Sequence, residues 1–111
     1  MSLTLRTNLG CTEAVIDGTG GLQRFYQIAH ILTDEFKVAF TGKEDDFDFI
    51  NWNFSFGRYR LTLQYSIYTG ISLFPTMEQN AHKRDNKAVE ELANVLEGKL
   101  ISMDLKPHAK I

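Results

Sequence analysis

The spacing of apolar and polar residues changes along the chain, and each change marks an element. Leu3 to Asn8 alternates weakly, and Glu13 to Asp17 forms a second short β-like run, with Gly10 and Cys11 in the turn between them. After Gly18-Thr19-Gly20-Gly21, the residues Leu22, Phe25, Ala29, Leu32 and Phe36 recur at helical spacing, with Ile28 beside them. That predicts a helix from about Gly20 to Asp34, with Thr19 as its N-cap. The period then drops to two. Phe36, Val38 and Phe40 alternate with Lys37, Ala39 and Thr41, which predicts a half-buried strand. Gly42 to Asp46 reads as a polar, acidic turn, followed by strands over Phe47 to Phe56 and Tyr59 to Tyr68.

The turn Gly57-Arg58 allows an arithmetic test. A two-residue loop here pairs residues whose numbers sum to 115. Phe56 then faces Tyr59, Phe54 faces Leu61, Trp52 faces Leu63 and Ile50 faces Tyr65, an apolar set on one face. The other face pairs Ser55 with Arg60, Asn53 with Thr62, Asn51 with Gln64 and Phe49 with Ser66. A slip of one residue would set apolar against polar throughout, so the sequence specifies this hairpin. A three-residue turn at Tyr68-Thr69-Gly70 pairs Ile67 with Ile71 and Tyr65 with Leu73, and Pro75 ends that strand. After a polar connection from Thr76 to Arg84, Asp85 caps a second helix with Ala88, Val89, Leu92 and Leu96 on one side and Gly98 as its stop. The tail docks for a few residues from Lys99 and frays from about residue 104.

These elements predict an α+β fold: a two-layer sandwich with an antiparallel β-sheet of about 4–5 strands and two α-helices packed on one face. The pattern leaves open whether residues 1–17 join the main sheet. At 111 residues the chain buries one core, so a single domain over 1–111 is expected.

Composition narrows the function classes. The net charge is −2, with −4 in residues 1–55 and +2 in residues 56–111. A general polyanion binder would be basic, so this balance argues against nucleic acid. The one cysteine excludes an intramolecular disulfide and any multi-cysteine metal site. No apolar run approaches the roughly 18–20 residues of a membrane span, and no signal peptide is visible. A cytoplasmic domain with no membrane partner and no cofactor is the expectation.

Candidate chemistry is sparse. Gly18, Thr19, Gly20 and Gly21 follow a strand-like run and precede a helix, in outline a phosphate cradle. They match neither dinucleotide fingerprint nor P-loop, so a tight turn is the simpler reading. Asp45, Asp46 and Asp48, with Glu44, form the densest acidic cluster, a weak metal candidate without the EF-hand spacing. A solvated acidic turn that discourages edge pairing is the simpler reading. His30, His82 and His108 are far apart, and Cys11 has no Cys-His or Cys-x-x-Cys context. No serine-hydrolase elbow is present, so no catalytic residue is assigned.

The outer sheet face is the more informative surface. It presents Phe49, Asn51, Asn53, Arg60, Gln64 and Tyr68, together with Ser55, Thr62 and Ser66. Phe47, Phe49, Tyr68 and Phe74 would form an apolar patch if exposed together, and such patches mark interfaces. In architecture alone, the expected fold resembles small bacterial α+β adaptor, secretion-chaperone and immunity-type proteins. The resulting expectation is a non-enzymatic protein-interaction domain with a protein partner, a second copy of itself (homodimer) among the options. The alternatives are a small-molecule or anion site near Gly18–Gly21 and single-stranded nucleic-acid binding through Arg60, Tyr68 and Phe49.

Overall fold

Gly57 takes φ +63°, while Arg58 does not enter the left-handed region, the signature of a type II′ turn whose twist suits a hairpin. The strands on either side pair in the predicted register at all eight positions, from Phe49 opposite Ser66 to Phe56 opposite Tyr59. This hairpin is β4 and β5 of the computed structural model, which describes residues 3–8, 11–18, 21–46, 48–76 and 83–105. In chain order the elements are β1 (Thr4–Asn8), β2 (Cys11–Asp17), α1 (Leu22–Phe36), β3 (Phe40–Asp45), β4 (Phe49–Phe56), β5 (Tyr59–Ser66), β6 (Gly70–Pro75) and α2 (Lys83–Leu105).

The fold is α+β, with one antiparallel sheet of six strands in the order β1-β2-β6-β5-β4-β3 and two helices. The expected 4–5 strands fall short because the N-terminal hairpin joins the main sheet: β2 pairs with β6. Cys11 is the first residue of β2 rather than part of the turn, and it is buried.

Three other boundaries differ from expectation. First, α1 continues through Phe36, and Lys37 turns the chain in the left-handed conformation (φ 58°) while the Val38 N–H closes on the Leu32 carbonyl. The alternation of Phe36, Val38 and Phe40 survives as burial, but a cap rather than a strand produces it. The helix starts at Leu22 with Gly21 as N-cap, and Thr19 lies outside the described residues. Second, Gly42–Asp45 is not a turn but most of β3, paired with β4. The polar composition that reads as a loop belongs to an exposed edge strand. Third, α2 starts at Lys83, so Asp85 sits inside its first turn rather than capping it. Gly98 does not stop this helix, which runs on to Leu105. Leu100 is fully buried, and that contact outweighs the roughly 1 kcal/mol glycine costs inside a helix.

The β5–β6 turn also shifts. Tyr65 faces Ile71 and Leu63 faces Leu73, two residues from the expected pairing. A shift of two keeps every side chain on its expected face. Gly70 fixes the register. It has φ +81°, and a Cβ there would lie 2.2 Å from the Asp17 carbonyl oxygen. The turn therefore spans Ile67, Tyr68 and Thr69, and Ile67 is exposed instead of paired.

One apolar cluster unites the molecule. It takes Ala14 and Ile16 from β2, Phe54, Leu61, Leu63, Ile71 and Leu73 from the central strands, and the buried stripes of both helices. Phe25, Ile28, Ala29, Ile31 and Leu32 supply the α1 stripe, whereas Leu22 is exposed. Ala88, Val89, Leu92, Ala93, Leu96 and Leu100 supply that of α2. Trp52 packs edge-on against Phe25 and Phe40, and Lys43 holds its ammonium 4.3 Å above the Trp52 ring. The opposite, polar face of the sheet carries the candidate site.

Candidate functional site

Strand parity builds this face. In β4, Asn51, Asn53 and Ser55 alternate with the core residues Trp52 and Phe54, and the hairpin register sets them opposite Gln64, Thr62 and Arg60. On one side β3 adds Glu44 opposite Asn51 and Gly42 opposite Asn53. On the other, β6 adds Phe74 opposite Thr62, with Thr76 just beyond the strand end.

The side chains form a cross-strand network. The Thr62 hydroxyl donates to Asn53 Oδ1 at 2.7 Å and lies 2.9 Å from the Thr76 hydroxyl. The Gln64 amide donates to Asn51 Oδ1 at 2.8 Å, and the Asn51 amide reaches Glu44 Oε1 at 3.5 Å. These bonds lock Thr62 and the Asn51 and Gln64 carboxamides in place. They leave the Asn53 Nδ2 donors and the Gln64 carbonyl without a partner among the described residues. The Arg60 guanidinium likewise has no ion-pair partner among them.

Two adjoining open concavities lie over the network. One of about 440 Å³ extends over Asn51, Asn53 and Gln64 toward Glu44. The other, of about 300 Å³, is bordered by Arg60, Ser55 and Thr41. They share Asn53 and Thr76. Gly42 keeps the floor open, since a Cβ there would crowd Asn53 Nδ2 at 3.2 Å. The result is a shallow groove with a cation at one end, a carboxylate at the other and neutral amides and hydroxyls between.

Of the residues expected on this face, Asn51, Asn53, Arg60 and Gln64 meet in the groove. Phe49 shares the face by register but stands at its far end, half-buried opposite Ser66. Tyr68 belongs to the β5–β6 turn rather than a strand, is 75% exposed, and donates its N–H to Ser66 Oγ. The expected aromatic patch does not form among the described residues: Phe74 is buried and Phe49 half-buried, and Phe47 lies outside them. Sequence reasoning missed Glu44, Gly42 and Thr76. The alternation of Gly42 and Glu44 with Lys43 was the available signal, masked by the turn-like composition.

The other candidates are not drawn together. Gly18 is a turn residue and Gly21 the N-cap of α1, while Thr19 and Gly20 lie outside the described residues. Buried Asp17 stands beside them with its carboxylate 3.5 Å from Arg24 Nε. The turn thus carries its own anion, and the nearest cation is engaged. Asp45 ends β3, the Asp46 N–H donates to the Phe49 carbonyl, and the Asp48 carbonyl accepts from Ile67. Among the described residues no three His, Cys, Asp or Glu side chains group to hold a metal. His30 meets Asp34 at 2.8 Å one helical turn on, with both side chains mostly exposed. His82 and His108 fall outside the described residues. Among the described residues, no helix is long and apolar enough to cross a membrane. Comparison with protein-family models, curated proteins and solved structures finds no match to this chain.

Proposed function

We propose that this chain is a non-enzymatic protein-interaction domain whose recognition surface is the polar face of its sheet. The observation that carries this reading is the groove over Asn51, Asn53 and Gln64, with the Arg60 guanidinium, unpaired among the described residues, at its end. Fixed amides and hydroxyls with unused hydrogen-bonding capacity suit the alternating donors and acceptors of a polypeptide segment. One cation and one carboxylate set its direction. A polyanion would need several free cations here. Lys43 is held over Trp52 instead, which disfavours the nucleic-acid alternative.

The architecture that goes with this reading is the two-layer sandwich. With both helices on the apolar face, the polar face is left to a partner. The shared cluster of α1, α2 and sheet residues supports that arrangement. The buried Cys11, outside any disulfide, suits a reducing cytoplasm.

The test is retention of a partner from host lysate by the tagged protein, the Arg60→Glu variant and the Glu90→Lys variant on α2. Arg60 and Glu90 are both exposed, so the fold tolerates either change. The reading predicts one stoichiometric partner, weakened at least about tenfold by Arg60→Glu and unaffected by Glu90→Lys. Equal retention by all three proteins would overturn it.

A further inference from the structure

The two edges of the sheet are built differently. The β3 edge carries the consecutive charges Lys43, Glu44 and Asp45, and its register with β4 breaks between Phe40 and Gly42. Charges and a bulge are the usual protections of an edge strand. The β1 edge has no bulge and no run of charges. Its five residues pair with β2 in unbroken register from Thr4 opposite Val15 to Asn8 opposite Cys11. Its one charge, Arg6, is matched within the chain by Glu13 at 3.0 Å. Helix α2 ties down both strands of this hairpin: the Leu3 N–H, just before β1, donates to Glu97 Oε2 at 2.6 Å, and the Thr12 N–H of β2 donates to Asn86 Oδ1.

We propose that β1 is a pairing edge that takes β1 of a second copy of this chain, antiparallel about a two-fold axis through Leu5. The residues select this register. Leu5 pairs with buried Ala14 and so stands on the core face, where it remains 43% exposed at the rim. A two-fold axis at Leu5 joins the two leucines on that face, next to Leu3, which already packs against the core. It sets Arg6 opposite Thr4 of the other copy, with no like charges facing directly. An axis at Arg6 would oppose two guanidinium groups. An axis between Leu5 and Arg6 would put the two cores on opposite faces of the joined sheet. The Leu5 arrangement doubles the six-stranded sheet, keeps both helix layers on one side and gives both polar grooves a common face. Strand β2 separates β1 from β6, the nearest strand that borders the groove, so this pairing and the partner groove are tested independently.

A five-residue strand pair with one leucine contact is a small interface, so association is reversible and concentration-dependent. Light scattering on the full chain from about 10 μM to about 1 mM should show the mass rising from 12.7 kDa toward twice that value. Leu5→Lys, at a half-exposed site, should hold the monomer mass with an unchanged circular dichroism spectrum. Tyr68→Ser, at an exposed aromatic on another surface, should associate like the parent. Amide exchange of residues 4–8 in the parent should slow by about tenfold across the same range, a readout that needs no variant. A parent mass that stays at 12.7 kDa, association that survives Leu5→Lys, or β1 exchange independent of concentration would each overturn the proposal.

Discussion

Gly70 carries two constraints at once. Its φ of +81° suits glycine, and a Cβ would strike the Asp17 carbonyl oxygen at 2.2 Å and Gly18 backbone atoms at 2.5–2.6 Å. Backbone cannot step aside as a side chain would, so Gly70→Ala should cost more than about 2 kcal/mol in urea unfolding. A smaller loss would mean that the β2 exit does not press on this turn. Ser72 makes the opposite case. Its side chain is fully buried, and its hydroxyl finds no hydrogen-bond partner among the described residues. An unsatisfied buried hydroxyl costs about 1–3 kcal/mol, so Ser72→Ala should equal or exceed the parent in stability. A loss above about 1 kcal/mol would show that the hydroxyl is bonded. Parity made the inward and outward positions of β4 and β5 readable in the sequence, down to the Asn53–Thr62 and Asn51–Gln64 partners. Which of those polar groups would be spent on one another and which left open was not readable. That depends on distances of a few tenths of an ångström and on Thr76, which only the β6 exit brings into reach.

At the scale of elements, two helix positions defy local preference. Lys37 holds the left-handed conformation that glycine adopts without penalty, and Gly98 sits exposed in the interior of α2 with open space around it. Lys37→Gly should therefore raise stability by about 1 kcal/mol, because the cost of a left-handed residue with a side chain disappears. Gly98→Ala should raise it by about 0.8–1 kcal/mol through helix propensity alone. Urea midpoints measure both, and a fall in either would contradict the local geometry. Gly98 also shows where sequence reading stops. Glycine followed by Lys99 is a common helix ending, but buried Leu100 continues the stripe from Leu92 and Leu96. A tertiary contact decided the boundary. In β3 the misreading ran the other way. Gly42, Lys43, Glu44 and Asp45 have the composition of a loop because an edge strand with one neighbour needs few apolar residues.

At the scale of the molecule, one open sheet divides an apolar face, gathered with the two helices into a single cluster, from a polar face with a preformed groove. The α+β class and the central hairpin followed from periodicity, since burial on one face forces period two. The place of the N-terminal hairpin did not. β1 is short and mostly polar, and only the β2–β6 pairing, bridged by the Asp17–Gly70 contact, brings it into the sheet. The candidate site was legible only as a surface: the polar positions of β4 and β5 marked the face, while the β3 contribution and the open floor at Gly42 emerged with the fold. The most direct test of that surface is photocrosslinking in the native host, with a photoreactive phenylalanine analogue placed at Ser55, exposed on the groove border beside Arg60, or at Glu90 on the exposed side of α2. The groove account predicts one discrete adduct with another protein from position 55 and none from position 90. An adduct from position 90 with none from position 55 would contradict it.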